Sequence, residues 1–163
     1  MAIFWEAFKR IINLPKRGIG KTTVDKILAA ASQNDVSAWA VVKDFKRYIG
    51  QGRAATSIAN FVMIIETMQK SIAGKNAYES AAYIAKNSGL LKALHEDQTI
   101  EGRSRYENVQ ELLNAAQEFV DSSESEEKDL SAFLQEVSLL TGGDQADDDE
   151  EAVTMMTIHG AKG

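Results

Sequence analysis

The sequence predicts an all-α fold, an irregular multi-helix domain spanning residues 1–141. Apolar side chains recur at intervals of three and four residues along most of this segment, as they do on the buried face of a helix. The chain contains one proline, Pro15, so little interrupts these helical patterns. Its 163 residues, 44% of them apolar, suit one modest domain that is long enough to bury a core.

Two helices flanking a glycine-containing turn are predicted first. An apolar pattern from Ile3 ends near Asn13, because Pro15 disfavours helical conformation in the residue before it. After the turn, Thr22 is predicted as the N-cap of the second helix, with Asp25 completing a capping box three residues later. The outline is that of a helix-hairpin-helix.

Six further helices are predicted from the same periodicity and from helix-ending glycines. Asn76 with Glu79 indicates a capping box at the start of one of them. The predicted segments run from Ser37 to Gly50, Ala55 to Gly74, Asn76 to Gly89, Leu90 to Leu94, Arg103 to Asp121 and Leu130 to Leu140.

The most informative stretch is the segment from Arg17 to Thr23, hereafter the glycine turn. It is similar to a nucleotide-binding loop, G-x-x-x-x-G-K-[ST], but Pro15 stands where the first glycine is required, which argues against ATP binding here. Two glycines around one apolar residue, followed by threonines and a helix, instead favour a tight turn whose amides face an anion such as a DNA phosphate. The alternative is an inert turn between helices.

Charge is segregated along the chain, within a net charge of −6. Residues 1–60 carry ten Lys or Arg against four acids, whereas residues 121–163 carry two Lys against twelve acids. The basic third contains the glycine turn. This segregation favours a polyanion that meets the first part of the chain only, with ordinary solvated surface charge as the alternative.

Several classes of site are disfavoured by composition. The chain has no cysteine, which excludes disulfides and thiolate metal sites, and its two histidines, His95 and His159, lie far apart in sequence, so no metal site is expected. No apolar run approaches the length of a membrane span, and the N-terminus lacks a signal-peptide pattern. We therefore expect a cytoplasmic protein with no membrane partner.

The last part of the chain changes character. Residues 142–151 form a predicted acidic linker, because the run from Asp144 to Glu151 cannot pack a core and does not fit a calcium-binding loop. Ala152 to Ile158 is predicted to form a short orphan strand, rich in Val, Thr and Ile. Since an unpaired strand exposes backbone hydrogen-bonding groups, we expect it to join a sheet of a neighbouring domain, which makes the chain a fragment.

Five segments carry a resemblance to a known family. Phe8 to Thr23 resembles the opening of subdomain 2B in superfamily 1 DNA helicases of the UvrD/PcrA/Rep type. Ser88 to Leu91, Arg105 to Leu113 and Phe133 to Glu136 resemble later landmarks of that subdomain, in order. Val153 to Gly163 resembles helicase motif V, where the chain re-enters the second RecA-like domain, so residues 152–163 are interpreted as its truncated start.

The resemblance implies a piece of an ATP-dependent 3′-to-5′ DNA helicase. In such enzymes two RecA-like domains use ATP and Mg²⁺ to move along single-stranded DNA, while subdomain 2B contacts the duplex and regulates unwinding. The Walker loop and the Mg²⁺-binding acidic pair are missing from this sequence, so the fragment itself is expected to hold no catalytic residue and no cofactor. The implied partners are duplex and single-stranded DNA, the rest of the helicase chain, and repair or replication proteins.

The resemblance also assigns site residues. In motif V, Thr157 and His159 take the positions that face single-stranded DNA. The alternative function is a protein-docking or regulatory module with incidental DNA contact. The predicted duplex-binding residues are Arg17, Gly18, Ile19, Gly20, Lys21, Thr22 and Thr23.

Overall fold

A computed structural model describes residues 2–122 and 127–142, and these residues form helices joined by turns, without a strand. The all-α prediction is therefore confirmed for this part of the chain. The helices are α1 (Ala2–Ile11), α2 (Lys21–Gln33), α3 (Ala38–Lys43), α4 (Phe45–Tyr48), α5 (Ala55–Ser71), α6 (Ala77–Asn87), α7 (Leu90–Glu96), α8 (Ile100–Ser122) and α9 (Leu130–Gly142).

The first core is built by α1 to α5 around the ring of Phe61. Phe8 and Trp39 meet this ring edge-on, with centroids 6.4 and 6.3 Å away, a geometry that aromatic pairs favour. Ile27 of α2 and Ile58 of α5 are fully buried beside them. Burying each such side chain contributes about 1.5–3 kcal/mol. The glycine turn is thereby attached to a well-packed group of helices.

The second core lies among α6, α8 and α9 and is smaller. Phe119 and Phe133 pack with their ring centroids 5.6 Å apart, next to the buried Ala77 and Ala116. The N–H of Ala77 donates to the carbonyl of Lys128 at 2.8 Å, which ties the start of α6 to the connection before α9. Lys128 Nζ in turn donates to the carbonyl of Val120 in the last turn of α8, where a cation is favoured.

The predicted capping box at Thr22 is wrong. Helix α2 begins two residues earlier than predicted, at Lys21, and Gly20 is its N-cap with no side-chain cap. The carbonyl of Gly20 accepts from the N–H groups of Thr23 and Val24 at 2.9 and 3.2 Å, so Thr22 is already inside the first turn. The last three residues of the glycine turn, Lys21 to Thr23, therefore form the beginning of α2.

The predicted third helix is divided at Asp44 into α3 and α4. Asp44 has φ −118° and ψ 45°, outside the helical region, and its carbonyl accepts from Arg47 and Tyr48 to start α4. Aspartate is a poor residue for a helix interior. The break also lets Tyr48 and Ile49 pack against the first core.

Other boundaries agree more closely with the predictions. The capping box at the start of α6 is confirmed, since Asn76 Oδ1 accepts from the N–H of Glu79 and Glu79 Oε2 accepts from the N–H of Asn76.

Helix α8 begins at Ile100 rather than at the predicted Arg103. Thr99 causes the difference, because its Oγ1 accepts from the N–H of Gly102 at 3.0 Å and caps the earlier start.

The charge segregation follows the two cores. Residues 2–71, which contain α1 to α5, carry eleven Lys or Arg and five acids, whereas residues 72–142 carry six and thirteen. The ion pairs found in the described residues join exposed side chains and contribute little to stability. The basic character therefore belongs to the helices that hold the glycine turn.

The predicted acidic linker beyond its first residue, Gly142, which ends α9, lies outside the described residues, as do the orphan strand and the motif V residues Thr157 and His159. Among the described helices, none combines the length and the apolar character that a membrane crossing requires.

Candidate nucleic-acid interface

The glycine turn is held in shape by Asn13, which precedes it. Asn13 Oδ1 accepts two backbone hydrogen bonds, from the N–H of Arg17 at 2.8 Å and from the N–H of Ile19 at 3.3 Å. Asparagine side chains commonly bond to nearby backbone in this way and so stabilise turns. The peptide bond between Leu14 and Pro15, inside this loop, is cis.

Ile19 anchors the turn in the protein. Its side chain is only 1% exposed and belongs to the first core, together with Ile12 and Ile27. Gly18, immediately before it, has φ +74°, a left-handed conformation that glycine adopts without steric cost. The buried isoleucine and the left-handed glycine together turn the chain, so that the next residues are presented to solvent.

Arg17 points its guanidinium back into the protein. Nη1 lies within 2.7 to 3.1 Å of the carbonyl oxygens of Ile11, Leu14 and Pro15. Nη2 donates to the carbonyl of Ser88 at 3.1 Å, at the end of α6, and the guanidinium carbon lies 5.5 Å from the centroid of the Phe61 ring. Partial burial lowers the pKa of Arg17 from its usual value. This side chain joins the loop to the second group of helices.

The start of α2 leaves donors open to solvent. The amides of Gly20, Lys21 and Thr22 have no acceptor among the described residues, because the first N–H groups of a helix lie beyond its hydrogen-bond ladder. Gly20, Lys21 and Thr22 are exposed, and Thr23 is half-buried. The partial positive charge of a helix N-terminus favours an anion at this position.

Gly20 differs from Gly18 in what the fold requires of it. Its φ of −77° is accessible to any residue, and a Cβ placed on it would have no heavy atom within 4 Å. The protein itself therefore leaves empty the space that a side chain at position 20 would fill. That space borders the open amides, where a phosphate would approach.

Part of the backbone of the glycine turn is already hydrogen-bonded within the protein. Two of its amides, those of Arg17 and Ile19, already donate to Asn13 rather than facing outward to cradle a chain of phosphates. The part of the chain that the structure describes also contains no cluster of three or more His, Cys, Asp or Glu side chains suited to a metal ion.

Comparison with known proteins identifies the family. Residues 5–163 match the UvrD-like helicase C-terminal domain. The chain belongs to that family. It is 34% identical over 159 residues to DNA helicase II of Haemophilus influenzae, an alignment that covers 96% of the chain and 22% of that relative. It is 34% identical over 158 residues to ATP-dependent DNA helicase PcrA of Staphylococcus aureus, covering 96% of the chain and 21% of the relative.

DNA helicase II of Salmonella typhimurium is a further relative, 32% identical over 159 residues. The chain spans about a fifth of the length of these curated relatives, with 22% covered in the first of them. The match to the UvrD-like helicase C-terminal domain takes in the whole glycine turn and also the terminal segment that contains Thr157 and His159.

Within this family member, the structure separates five of the seven predicted duplex-binding residues into two groups. Gly20, Lys21 and Thr22 are presented outward, while Ile19 and the guanidinium of Arg17 are turned inward. Residues that sequence reasoning missed include Asn13, the acceptor that shapes the turn. Its signal was present, since an asparagine at the end of a helix, shortly before a turn, is a frequent backbone acceptor.

Proposed function

We propose that this chain is the 2B-like part of an ATP-dependent 3′-to-5′ DNA helicase and that it contacts duplex DNA through backbone phosphates. The observation that carries the proposal is the open start of α2, where the amides of Gly20, Lys21 and Thr22 have no acceptor among the described residues beside an unfilled space at Gly20. Family membership supports DNA as the anion, because the relatives are named DNA helicases.

The chemistry of the contact is electrostatic and independent of sequence. A phosphate oxygen at the start of α2 accepts from the backbone amides, while the ammonium of Lys21 and the hydroxyls of Thr22 and Thr23 add charge and further donors. Arg17 stabilises the loop that precedes the site, because its guanidinium donates to backbone carbonyls of that loop. Such contacts position the duplex and release counterions, so binding weakens as the salt concentration rises.

In the proposed parent, ATP and Mg²⁺ act in the RecA-like domains, and the helical part described here positions the duplex ahead of the motor and regulates unwinding. Residues 152–163 are proposed to begin the second RecA-like domain, with Thr157 and His159 facing single-stranded DNA. The residues of the glycine turn do not fit ATP, so this chain alone is expected to lack ATPase activity.

The test is fluorescence anisotropy of the chain with a labelled blunt duplex and with the same duplex carrying a 3′ single-stranded tail, across a salt series. The variant is Gly20→Val with Lys21→Ala, which places a side chain in the open space and removes one cation. We expect weak, salt-sensitive duplex binding that the variant loses. The control is Lys92→Ala, which removes an exposed cation from α7, on the acidic group of helices.

Duplex binding that survives in the glycine-turn variant would contradict the proposed site. Absence of binding even at low salt, by a chain with its full helix content, would contradict the duplex contact altogether. That result would favour the alternative, in which these helices dock a partner protein or regulate the motor.

A further inference from the structure

A second turn in the chain has the same pattern as the glycine turn. Gly50-Gln51-Gly52-Arg53 matches Gly18-Ile19-Gly20-Lys21 as two glycines around one residue, followed by a basic side chain. Each stretch leads into a helix, α5 or α2. The first glycine of each has positive φ, +95° at Gly50 and +74° at Gly18.

The two turns lie side by side. They line one open cleft of about 290 Å³, with Gly18 and Thr23 on one side and the segment from Gly50 to Ala54 on the other. A Cβ at Gly18 would lie 3.7 Å from Ser57 Oγ in the first turn of α5, which places the two loops in direct proximity. The packing of the first core thus brings together two turns that are distant in sequence.

The lining of the cleft is basic. Lys26 of α2 and Arg53 of the second turn both contribute to it, and no carboxylate does. Neither cation forms an ion pair with another described residue. A Cβ added at Gly50 or at Gly52 would also have no heavy atom within 4 Å apart from its chain neighbours. A ligand can therefore approach the backbone closely here.

The size and openness of the cleft narrow the choice of ligand. Pockets for whole small molecules occupy roughly 300–1,000 Å³ and enclose most of the ligand. This cleft lies at the lower end of that range and is open to solvent along the surface that carries the glycine turn. Its chemistry fits a single phosphate group of a polymer that continues past it.

We propose that this cleft is a second phosphate contact for duplex DNA, next to the contact at the start of α2, with Lys26 and Arg53 as its cations. The inference rests on the proposed duplex-binding function and extends it to residues outside the glycine turn. Two neighbouring contacts fix the orientation of a duplex on these helices, which a single contact cannot do.

The test compares the salt dependence of duplex binding in three variants of the chain, using a labelled blunt duplex. Lys26→Ala with Arg53→Ala removes both cations of the cleft, and Lys21→Ala removes the cation of the first contact. Lys86→Ala with Arg105→Ala is the matched control, because it removes one Lys and one Arg from exposed positions on α6 and α8. Circular dichroism verifies that each variant keeps its helices.

We expect the cleft variant to reduce the slope of log K against log salt by about 1, because the cleft is proposed to hold one phosphate and each neutralised phosphate contributes about 0.9. Lys21→Ala is expected to reduce the slope by about 1, and the control pair to leave it unchanged. A cleft variant that matches its control, while Lys21→Ala still reduces the slope, would overturn this inference and leave the proposed function standing. A parent chain that binds no duplex would overturn both.

Discussion

At the scale of the residue, the two glycines of the glycine turn have different tasks. Gly18 adopts a left-handed conformation on which the shape of the loop depends, whereas Gly20 has ordinary backbone geometry and an empty space where its side chain would be. The first glycine therefore serves the fold. At Gly20 the space that a side chain would occupy is left open, and a ligand can use it.

This difference leads to a prediction on matched substitutions. Gly18→Ala is expected to lower the free energy of unfolding by about 1–2 kcal/mol, because an L-residue in the left-handed region carries that cost. Gly20→Ala is expected to cost less, about 0.5 kcal/mol, because the φ of Gly20 suits any residue and only the preference for glycine over alanine at an N-cap is lost. Urea unfolding followed by circular dichroism measures both. Equal losses for the two variants would contradict the assignment.

Arg17 illustrates what a residue pattern alone leaves open. A basic residue beside a glycine turn is reasonably predicted to meet a phosphate, but here the guanidinium donates to carbonyls at the end of α1 and of α6. Side-chain direction depends on tertiary neighbours, which the local sequence does not contain. Ser88, one of these acceptors, lies 71 residues away from Arg17.

We therefore expect Arg17→Lys to destabilise the protein by about 1–3 kcal/mol, since it leaves several carbonyls without their donor. Lysine has one ammonium group and cannot span both sets of acceptors. The control is Arg47→Ala, an exposed arginine on α4 whose loss is expected to cost less than about 1 kcal/mol. Urea unfolding of both variants is the measurement, and similar losses in the two would refute the bridging role.

Asp97 gives a prediction on pH. Asp97 Oδ1 accepts from Thr99 Oγ1 at 2.7 Å and from the N–H of Thr99 at 3.1 Å, and these bonds lower the pKa of the Asp97 carboxyl from its usual value. Because the folded pKa is the lower one, the resulting stability is present above the unfolded pKa. It is lost as the pH falls through the folded pKa.

Acidification should thus reduce the free energy of unfolding more in the parent chain than in Asp97→Asn, which has no proton to gain. Urea midpoints at neutral and at acidic pH give the comparison. Glu111→Gln, which removes an exposed carboxylate from α8, is the control and should respond to acid as the parent does. If acid lowers the free energy of unfolding of Asp97→Asn as much as that of the parent chain, these hydrogen bonds do not make stability depend on pH.

At the scale of the element, the corner between α7 and α8 shows how one glycine permits a close approach. Gly102 is buried in the first turn of α8, and an added Cβ would clash with the side chain of Asp97 and lie 2.6 Å from its carbonyl oxygen. The corner also depends on Thr99, which bonds to both residues. No side chain can be added at position 102 without moving the Asp97 backbone.

Gly102→Ala is accordingly expected to destabilise the protein by about 1–3 kcal/mol, the usual cost of overpacking. An alanine in an unobstructed helical position would instead stabilise it by about 0.5–1 kcal/mol. The sign of the change in the free energy of unfolding therefore shows whether position 102 is crowded or open. A stabilised Gly102→Ala variant in urea unfolding would show that the corner has room for a methyl group beside Asp97.

The helices themselves were largely predictable from the sequence, and their exact ends were less so. Periodicity located the buried faces, and the Asn76 capping box predicted the start of α6 correctly. The errors arose where a residue acts through the backbone: Gly20 caps α2 in place of Thr22, and Asp44 interrupts a continuous apolar pattern. Hydrophobic periodicity carries no information on such breaks.

At the scale of the whole molecule, the described residues place basic charge and the glycine turn on one group of helices and acidic charge on the other. Apolar periodicity indicated which face of each helix is buried but not which helices pack together. The neighbouring position of the Gly50 and Gly18 turns is a result of that packing. The charge counts along the chain did predict the separation of basic from acidic helices, because α1 to α5 are consecutive in sequence.

The central claim is that a duplex meets this basic group of helices at the start of α2. The most direct measurement is a titration of the ¹⁵N-labelled chain with a short blunt duplex, followed by amide chemical shifts at two salt concentrations. We predict that the largest shifts occur at Gly20, Lys21 and Thr22, with Gly50 to Arg53 as the second set, and that they diminish at the higher salt. Shifts concentrated in α7 to α9, or none at low salt, would contradict the claim.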